Sequence, residues 1–318
     1  MEKLIVSTSP HFHTKDTTQS IMRDVLIALT PAAIAAVVLF GLGALLNIVL
    51  CVASCVLSEF LFNLIVKKKQ TVSDLSAAVT GLLLALNLSL GANPWHCIVG
   101  SVFAIVVVKC LFGGLGCNFA NPAITARIFL LIAFTSSVGG GSNTLFQSTL
   151  VSSATPLEVI KNGGSLSSLP SLLDMFLGNR GGAIGETCAL ALILGGIYLV
   201  VRRVISWHTP VIFVGTVFVL SLIIKQDLTV ALYEVLGGGL LIGAIFMATD
   251  YATTPNNKLG KMVFALGCGV LTVLIRFWGD YPEGFSFAIL IMNILSPYIE
   301  RACAAKPFGK VGKRCEEK

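Results

Sequence analysis

The string Val151-Ser152-Ser153-Ala154-Thr155-Pro156-Leu157 puts three hydroxyls and a proline into a polar stretch of an otherwise strongly apolar chain. A threonine oxygen can be esterified. A phosphoryl-linked group transferred onto Thr155 would be anchored there by a phosphodiester, and Pro156 would stiffen the chain that presents it. The rival reading is local: Ser-Ala-Thr-Pro strings such as Ser153-Ala154-Thr155-Pro156 are common in loops, where hydroxyls make turns and proline stops a helix. Spacing alone leaves both readings open.

Gly113-Gly114-Leu115-Gly116-Cys117-Asn118-Phe119-Ala120-Asn121-Pro122-Ala123-Ile124-Thr125-Ala126-Arg127 is the second constellation. No Lys-Ser or Lys-Thr follows its glycines and no strand precedes them, which excludes a P-loop and a dinucleotide fingerprint. A tight turn with Asn121 as helix cap and Pro122 at the first helical position explains two of its residues. It explains Asn118, Thr125 and Arg127 less well, because polar groups near a bilayer usually line a site or cavity.

The third is Met247-Ala248-Thr249-Asp250-Tyr251-Ala252-Thr253-Thr254-Pro255. An acid at a helix C-terminus opposes the helix dipole, so Asp250 requires a nearby Lys, an Arg, backbone N–H groups, a ligand or a cation. Glu59, Lys109, Glu186, Glu234 and Arg276 are further ionisable residues in apolar surroundings. For Lys109 and Glu186, near helix ends, snorkelling to the interface is the default expectation. The nine cysteines show no spacing of a zinc or iron–sulfur site, and small-residue packing is expected for them.

The elements that must position these residues follow from composition. Of 318 residues 55% are hydrophobic and only 12% charged, and the mean hydropathy is +0.87. That describes an all-α polytopic membrane protein. The net charge of +6 sits in short runs between apolar segments rather than in a stripe, which excludes a nucleic-acid partner as its purpose. The first 23 residues lack the apolar core and cleavage site of a signal peptide.

A hydrocarbon core of about 30 Å takes roughly 20 apolar residues per helix. Ten such stretches are expected, over 24–41, 43–66, 72–90, 95–112, 121–138, 184–201, 208–224, 229–249, 260–278 and 284–301. With that count, sixteen Lys and Arg fall on one side between and beyond the helices and only Lys161, Arg180 and Lys225 on the other. Cytoplasmic loops carry the excess. The expected organisation is a cytoplasmic segment 1–23, a membrane repeat 24–138, an extracytoplasmic loop 139–183 bearing Thr155, a second repeat 184–301 and a basic cytoplasmic tail 302–318. Five helices per half is an odd number, so two repeats would be inverted relative to each other, with a site where Pro-interrupted helix ends meet. Gly81-Leu82-Leu83-Leu84-Ala85 before Asn87 and Pro94 echoes Gly239-Leu240-Leu241-Ile242-Gly243 before Asp250 and Pro255.

Four ordered stretches carry a resemblance along nearly the whole chain: Ser9-Pro10-His11 with Ile21 to Leu29, Gly113 to Arg127, Ser152 to Leu157, and Met247 to Asp250. They resemble the RnfD/NqrB family, which holds the D subunits of Rnf electron transport complexes and the B subunits of sodium-pumping NADH:quinone reductases. The resemblance implies FMN held by a phosphoester on Thr155, within the Ser-x-Ala-Thr motif. It implies a second, non-covalent flavin, riboflavin, near Asn118, Asn121 and Pro122, and a ten-helix 5+5 inverted repeat like that of urea transporters. It further implies a bacterial inner-membrane subunit without complete turnover of its own, relaying electrons between ferredoxin and NAD and coupled to Na⁺ or H⁺. Its partners would be the FMN-bearing G subunit, the membrane-embedded A and E subunits and the cytoplasmic B and C subunits. Asp250 is the residue best placed to serve the coupling ion; a dedicated metal site is not expected. A urea- or ammonium-like channel without redox cofactor, and a purely structural membrane anchor, are the rival classes.

Overall fold

The computed structural model describes residues 17–138, 155–162, 169–279, 281 and 283–304. Among these the regular structure is entirely helical. The helices are α1 (Thr18–Phe40), α2 (Leu42–Val66), α3 (Ser76–Leu86), α4 (Pro94–Val102), α5 (Pro122–Ala133), α6 (Thr135–Val138), α7 (Pro156–Lys161), α8 (Leu172–Leu177), α9 (Ala189–Val201), α10 (His208–Lys225), α11 (Leu228–Leu236), α12 (Leu240–Ile242), α13 (Lys258–Trp278) and α14 (Phe285–Ala302). Two π-helical stretches, Phe103–Cys110 and Gly243–Met247, prolong α4 and α12.

Helix bounds differ from the apolar count where polar residues supply a cap. α1 begins at Thr18 rather than near Asp24, because Thr17 and Ser20 form a reciprocal capping box. α5 begins at Pro122 behind its Asn121 cap, as its sequence indicates, but ends at Ala133. The helix expected over 184–201 begins only at Ala189, since the N–H groups of Ile184 and Gly185 are drawn aside to the carbonyls of Leu88 and Leu86.

Among the described residues four helices are long and apolar enough to cross a membrane: Thr18–Phe40, Leu42–Val66, His208–Lys225 and Lys258–Trp278. The pair Leu228–Leu236 and Leu240–Met247, bent by 62°, is apolar enough to form a broken span or a re-entrant loop. The expected continuous helix over 229–249 is therefore broken at Gly237–Gly239. Gly238 has φ 63°, a conformation that glycine adopts at no cost and that ends the α-helical ladder there. Helices Ser76–Leu86, Pro94–Cys110, Pro122–Ala133 and Ala189–Val201 are apolar but shorter. Exposed Leu, Ile, Val and Phe side chains along α2 face outward, where a soluble protein would place charge. The chain is a membrane protein.

Packing repeats between the two halves. α2 lies against α3 and α4, as α10 lies against the α11–α12 pair and α13. α1 crosses α9, and α5 meets α14, so that each joins one half to the other. At the α1–α9 crossing Asp24 accepts hydrogen bonds from Arg202 and from the Tyr198 hydroxyl (3.2 Å). A Cβ placed on Gly195 would run into the Ala28 carbonyl oxygen. Such small-residue contacts let helix backbones approach closely. Gly195→Ala is expected to push the crossing apart at a cost of about 1–3 kcal/mol. A thermal midpoint in detergent unchanged from the parent chain would refute that.

Candidate functional site

Four stretches far apart in sequence meet at one cavity. The turn before α5 supplies Asn118, Asn121 and Pro122; the stretch after the Gly243–Met247 π-helix supplies Thr249 and Asp250. Ser76 and Thr80 from α3 and Lys109 from the Phe103–Cys110 π-helix complete its polar wall, and Phe246 its apolar one. Both π-helical stretches thus deliver a side chain to this cavity. Such widened turns are common at functional sites, because the slack they introduce re-aims side chains.

Asn121 has two duties. Its Oδ1 accepts the N–H groups of Ala123 (3.0 Å) and Ile124 (3.4 Å), capping α5, with Pro122 at the position where a missing N–H costs nothing. Thr125 does not reach the cavity; its hydroxyl donates back to the Asn121 carbonyl at 2.9 Å. Arg127 points elsewhere too, paired with Glu283 and lying over the Phe285 ring at 4.6 Å. The Asn118 side chain is 8% exposed and its Oδ1 has no hydrogen-bond partner. An orphaned buried acceptor is costly, and here it borders a cavity.

Asp250 is not paired with a lysine. It accepts the Ala252 N–H (3.4 Å) and the Thr253 hydroxyl (3.2 Å), which bind its carboxylate into the turn. Burial pushes its carboxyl above the usual range, and those two hydrogen bonds oppose the rise. A residue that sequence reasoning missed joins the two strings. Asn293 of α14, 2% exposed, donates to the Thr253 carbonyl (3.3 Å) and accepts the Asn121 N–H (3.2 Å) when its amide is oriented for both. A lone Asn in an apolar helix was the available signal.

The buried ions also depart from expectation. Lys109 does not snorkel: it is 2% exposed and donates to both Glu59 oxygens at 2.9 Å and to the Ser76 hydroxyl at 2.6 Å. Thr71 donates to the same carboxylate at 2.7 Å. Glu186 is buried as well, with one carboxylate oxygen unpartnered. At the other end of the bundle Arg276 donates to Glu234 (2.9 Å) and to the Gly237 carbonyl (3.3 Å).

Thr155 belongs to that other end. It caps α7, its Oγ1 accepting the Glu158 N–H at 3.4 Å, and it is 8% exposed. Leu157 packs into the glycine break: a Cβ on Gly238 would meet Leu157 at 2.8 Å and the Arg276 guanidinium at 3.2 Å. Lys161 pins the helix by donating to the Gly279 carbonyl. From that break to Asp250 the chain runs through Leu240–Met247, about 12 Å of helix. The structure therefore keeps Thr155 apart from the Asn118–Asp250 cavity, with one helical segment between. Ser152, Ser153 and Ala154 lie outside the described residues.

The profile of the NQR2, RnfD, RnfE family matches residues 5–309. The chain belongs to that family. Within it the chain is 46% identical over 308 residues to the D subunit of the Na⁺-translocating ferredoxin:NAD⁺ oxidoreductase complex of Acetobacterium woodii, covering 96% of this chain and 95% of the relative. It is 37% identical over 316 residues to the D subunit of the proton-translocating ferredoxin:NAD⁺ oxidoreductase complex of Clostridium ljungdahlii, covering 96% of both. A further relative is the D subunit of the ion-translocating oxidoreductase complex of Stutzerimonas stutzeri, 37% identical over 324 residues, at 91% of this chain and 92% of that one. The Asn118–Asp250 cavity and the Thr155 cap both fall inside the matched residues 5–309.

Proposed function

We propose that this chain is the D subunit of an Rnf complex, a membrane electron relay that joins ferredoxin:NAD electron transfer to Na⁺ or H⁺ movement. Its partners in this reading are the G, A, E, B and C subunits. The carrying observation is the convergence of Asn118, Asn121 and Asp250 on one cavity, with Thr155 held at the far end of an intervening helix. The cavity is the place for riboflavin. Its unpartnered Asn118 oxygen suits an N–H or O–H of such a ligand, while the Thr80 and Thr249 hydroxyls add polar edge to a wall that Val79, Leu83 and Phe246 make apolar.

Thr155 would carry FMN as a phosphoester. Its oxygen accepts a hydrogen bond and donates none, so esterification would cost the fold no bond. Because Thr155 is buried beneath the docked α7, attachment must precede that docking or displace it. A bound flavin supplies one- and two-electron chemistry; the residues around it set its position, exclude water and hold charge nearby. Asp250, with no cation paired to it among the described residues, is our candidate for the coupling ion.

The matched packing of α2 with α3 and α4, and of α10 with α11–α12 and α13, supports ten membrane segments arranged as a urea-transporter-like inverted repeat. The lysine and arginine asymmetry supports an inner-membrane protein with cytoplasmic termini and Thr155 outside. A channel without redox cofactor and a plain anchor share this frame. They differ in colour: both give a dark polypeptide after denaturation. Ultraviolet fluorescence of the denatured gel band decides, with wild type bright and Thr155→Ala dark. A dark wild-type band, or a mutant band equally bright, ends the attachment reading.

A further inference from the structure

Val204, Ile205, Thr249 and Tyr251 wall the cavity on one side and, on the other, border a second recess. This recess lies between the end of α9 and the starts of α10 and α13, and its polar residues include Arg203, Ser206, Thr209 and Lys261. Arg203 is exposed and Lys261 half-buried, and no carboxylate among the described residues forms an ion pair with either. Thr209 is 2% exposed, and its hydroxyl has no hydrogen-bond partner among the described residues. α10 starts here without a capping side chain from Trp207; Pro210 has no N–H and Val211 donates to the Trp207 carbonyl, so the His208 and Thr209 N–H groups are the ones left without a cap. Two cations in no ion pair among the described residues, the Thr209 hydroxyl and two uncapped N–H groups at the helix start make a site for a phosphate.

The recess does not end in water. Val200, Ile205 and Trp207 also border an apolar groove that continues past Ile193, Gly196 and Ile197. From Ile193 to Val201 that groove follows α9 for about 12 Å. Trp207, more than half exposed and stacked on His208 at 4.1 Å, stands where the two meet, the usual depth of tryptophan at a membrane interface. A soluble phosphate would use the recess alone. The joined pair calls for a ligand with an anionic head and a hydrocarbon tail.

We propose that Arg203, Lys261 and Thr209 hold the phosphate of one anionic phospholipid, whose acyl chain lies in the Ile193–Val201 groove. Basic pockets between membrane helices recognise such headgroups, and zwitterionic lipids gain less from them. Occupancy would brace the wall shared with the Asn118–Asp250 cavity, where the Tyr251 hydroxyl donates to the Val204 carbonyl.

The test uses the full chain in nanodiscs with Trp207 as the sole tryptophan, through W95F and W278F at two exposed positions. Phosphatidylglycerol or phosphatidylcholine bearing a spin label on the acyl chain quenches it. Quenching by the anionic lipid is expected at label concentrations on the order of tenfold lower, the scale set by two basic side chains near a surface. R203Q with K261Q is expected to erase that preference while the other lipid quenches as before, and millimolar glycerol 3-phosphate is expected to leave it intact. Equal quenching by the two lipids, or a preference that survives the double substitution, overturns the proposal. Displacement by glycerol 3-phosphate overturns it too, and assigns the recess to a soluble phosphate. The lipid comparison within the unsubstituted pair keeps the test decisive even if the double variant folds poorly.

Discussion

Lys109→Met is expected to lower the thermal midpoint of the detergent-solubilised chain by about 10 °C, the counterpart of roughly 3–5 kcal/mol. The ammonium is buried and gives all three of its donors away, to both Glu59 oxygens and to Ser76. Removing it leaves Glu59 as a buried carboxylate with only the Thr71 hydroxyl among its partners. Methionine keeps most of the volume, so the loss reads as uncompensated charge rather than as a cavity. Glu59→Gln in the same chain removes that charge and leaves an amide oxygen for Thr71 to donate to. The double variant is expected to recover most of the midpoint, because exchanging both partners of a buried pair is often close to neutral. A single variant as stable as wild type would show that the pair contributes nothing. A double variant worse than the single would show that Lys109 acts through something other than Glu59.

Much of the site was legible in the sequence, and the reason is chemical. Asn118, Asn121 and Asp250 are polar residues in apolar strings, where the bilayer makes an unused polar group expensive; Asn121 and Asp250 find partners within their own turns, and the Asn118 oxygen stays unpartnered beside the cavity. That they share one cavity was not legible. It depends on Asn293, which bridges the turn before α5 to the turn after Asp250 from a helix with no motif of its own. It depends also on breaks in helices whose apolar runs read as continuous. The Gly237–Gly239 break follows from a positive φ at Gly238 and from Leu157 filling the space there, a contact between residues about eighty positions apart. Lys109 failed the snorkelling expectation for the same reason. Its partner Glu59 comes from another helix, and no local rule links them. Thr125 stands outside the cavity lining because its hydroxyl has a backbone partner one turn back.

Asn118→Leu is expected to weaken retention of non-covalent flavin by on the order of 10- to 100-fold, the effect of losing one buried hydrogen bond to a ligand. The fraction proposed to be held on Thr155 is expected to stay unchanged, since Thr155 lies at the other end of the bundle. Extraction of the purified chain with acid separates the two: the flavin released is expected to drop, while fluorescence of the denatured band persists. The same substitution distinguishes a binding role from a structural one. In the ligand-free fold Asn118 holds an unpartnered buried oxygen, which costs stability. Leucine removes that cost, so the flavin-free variant is expected to be as stable as the flavin-free parent, or more so. An asparagine kept for the fold predicts the opposite sign. Polar groups that destabilise the empty protein and hold its ligand are the usual trade at a binding site. A variant that loses stability yet retains its released flavin would remove Asn118 from the site and leave the cavity to another occupant.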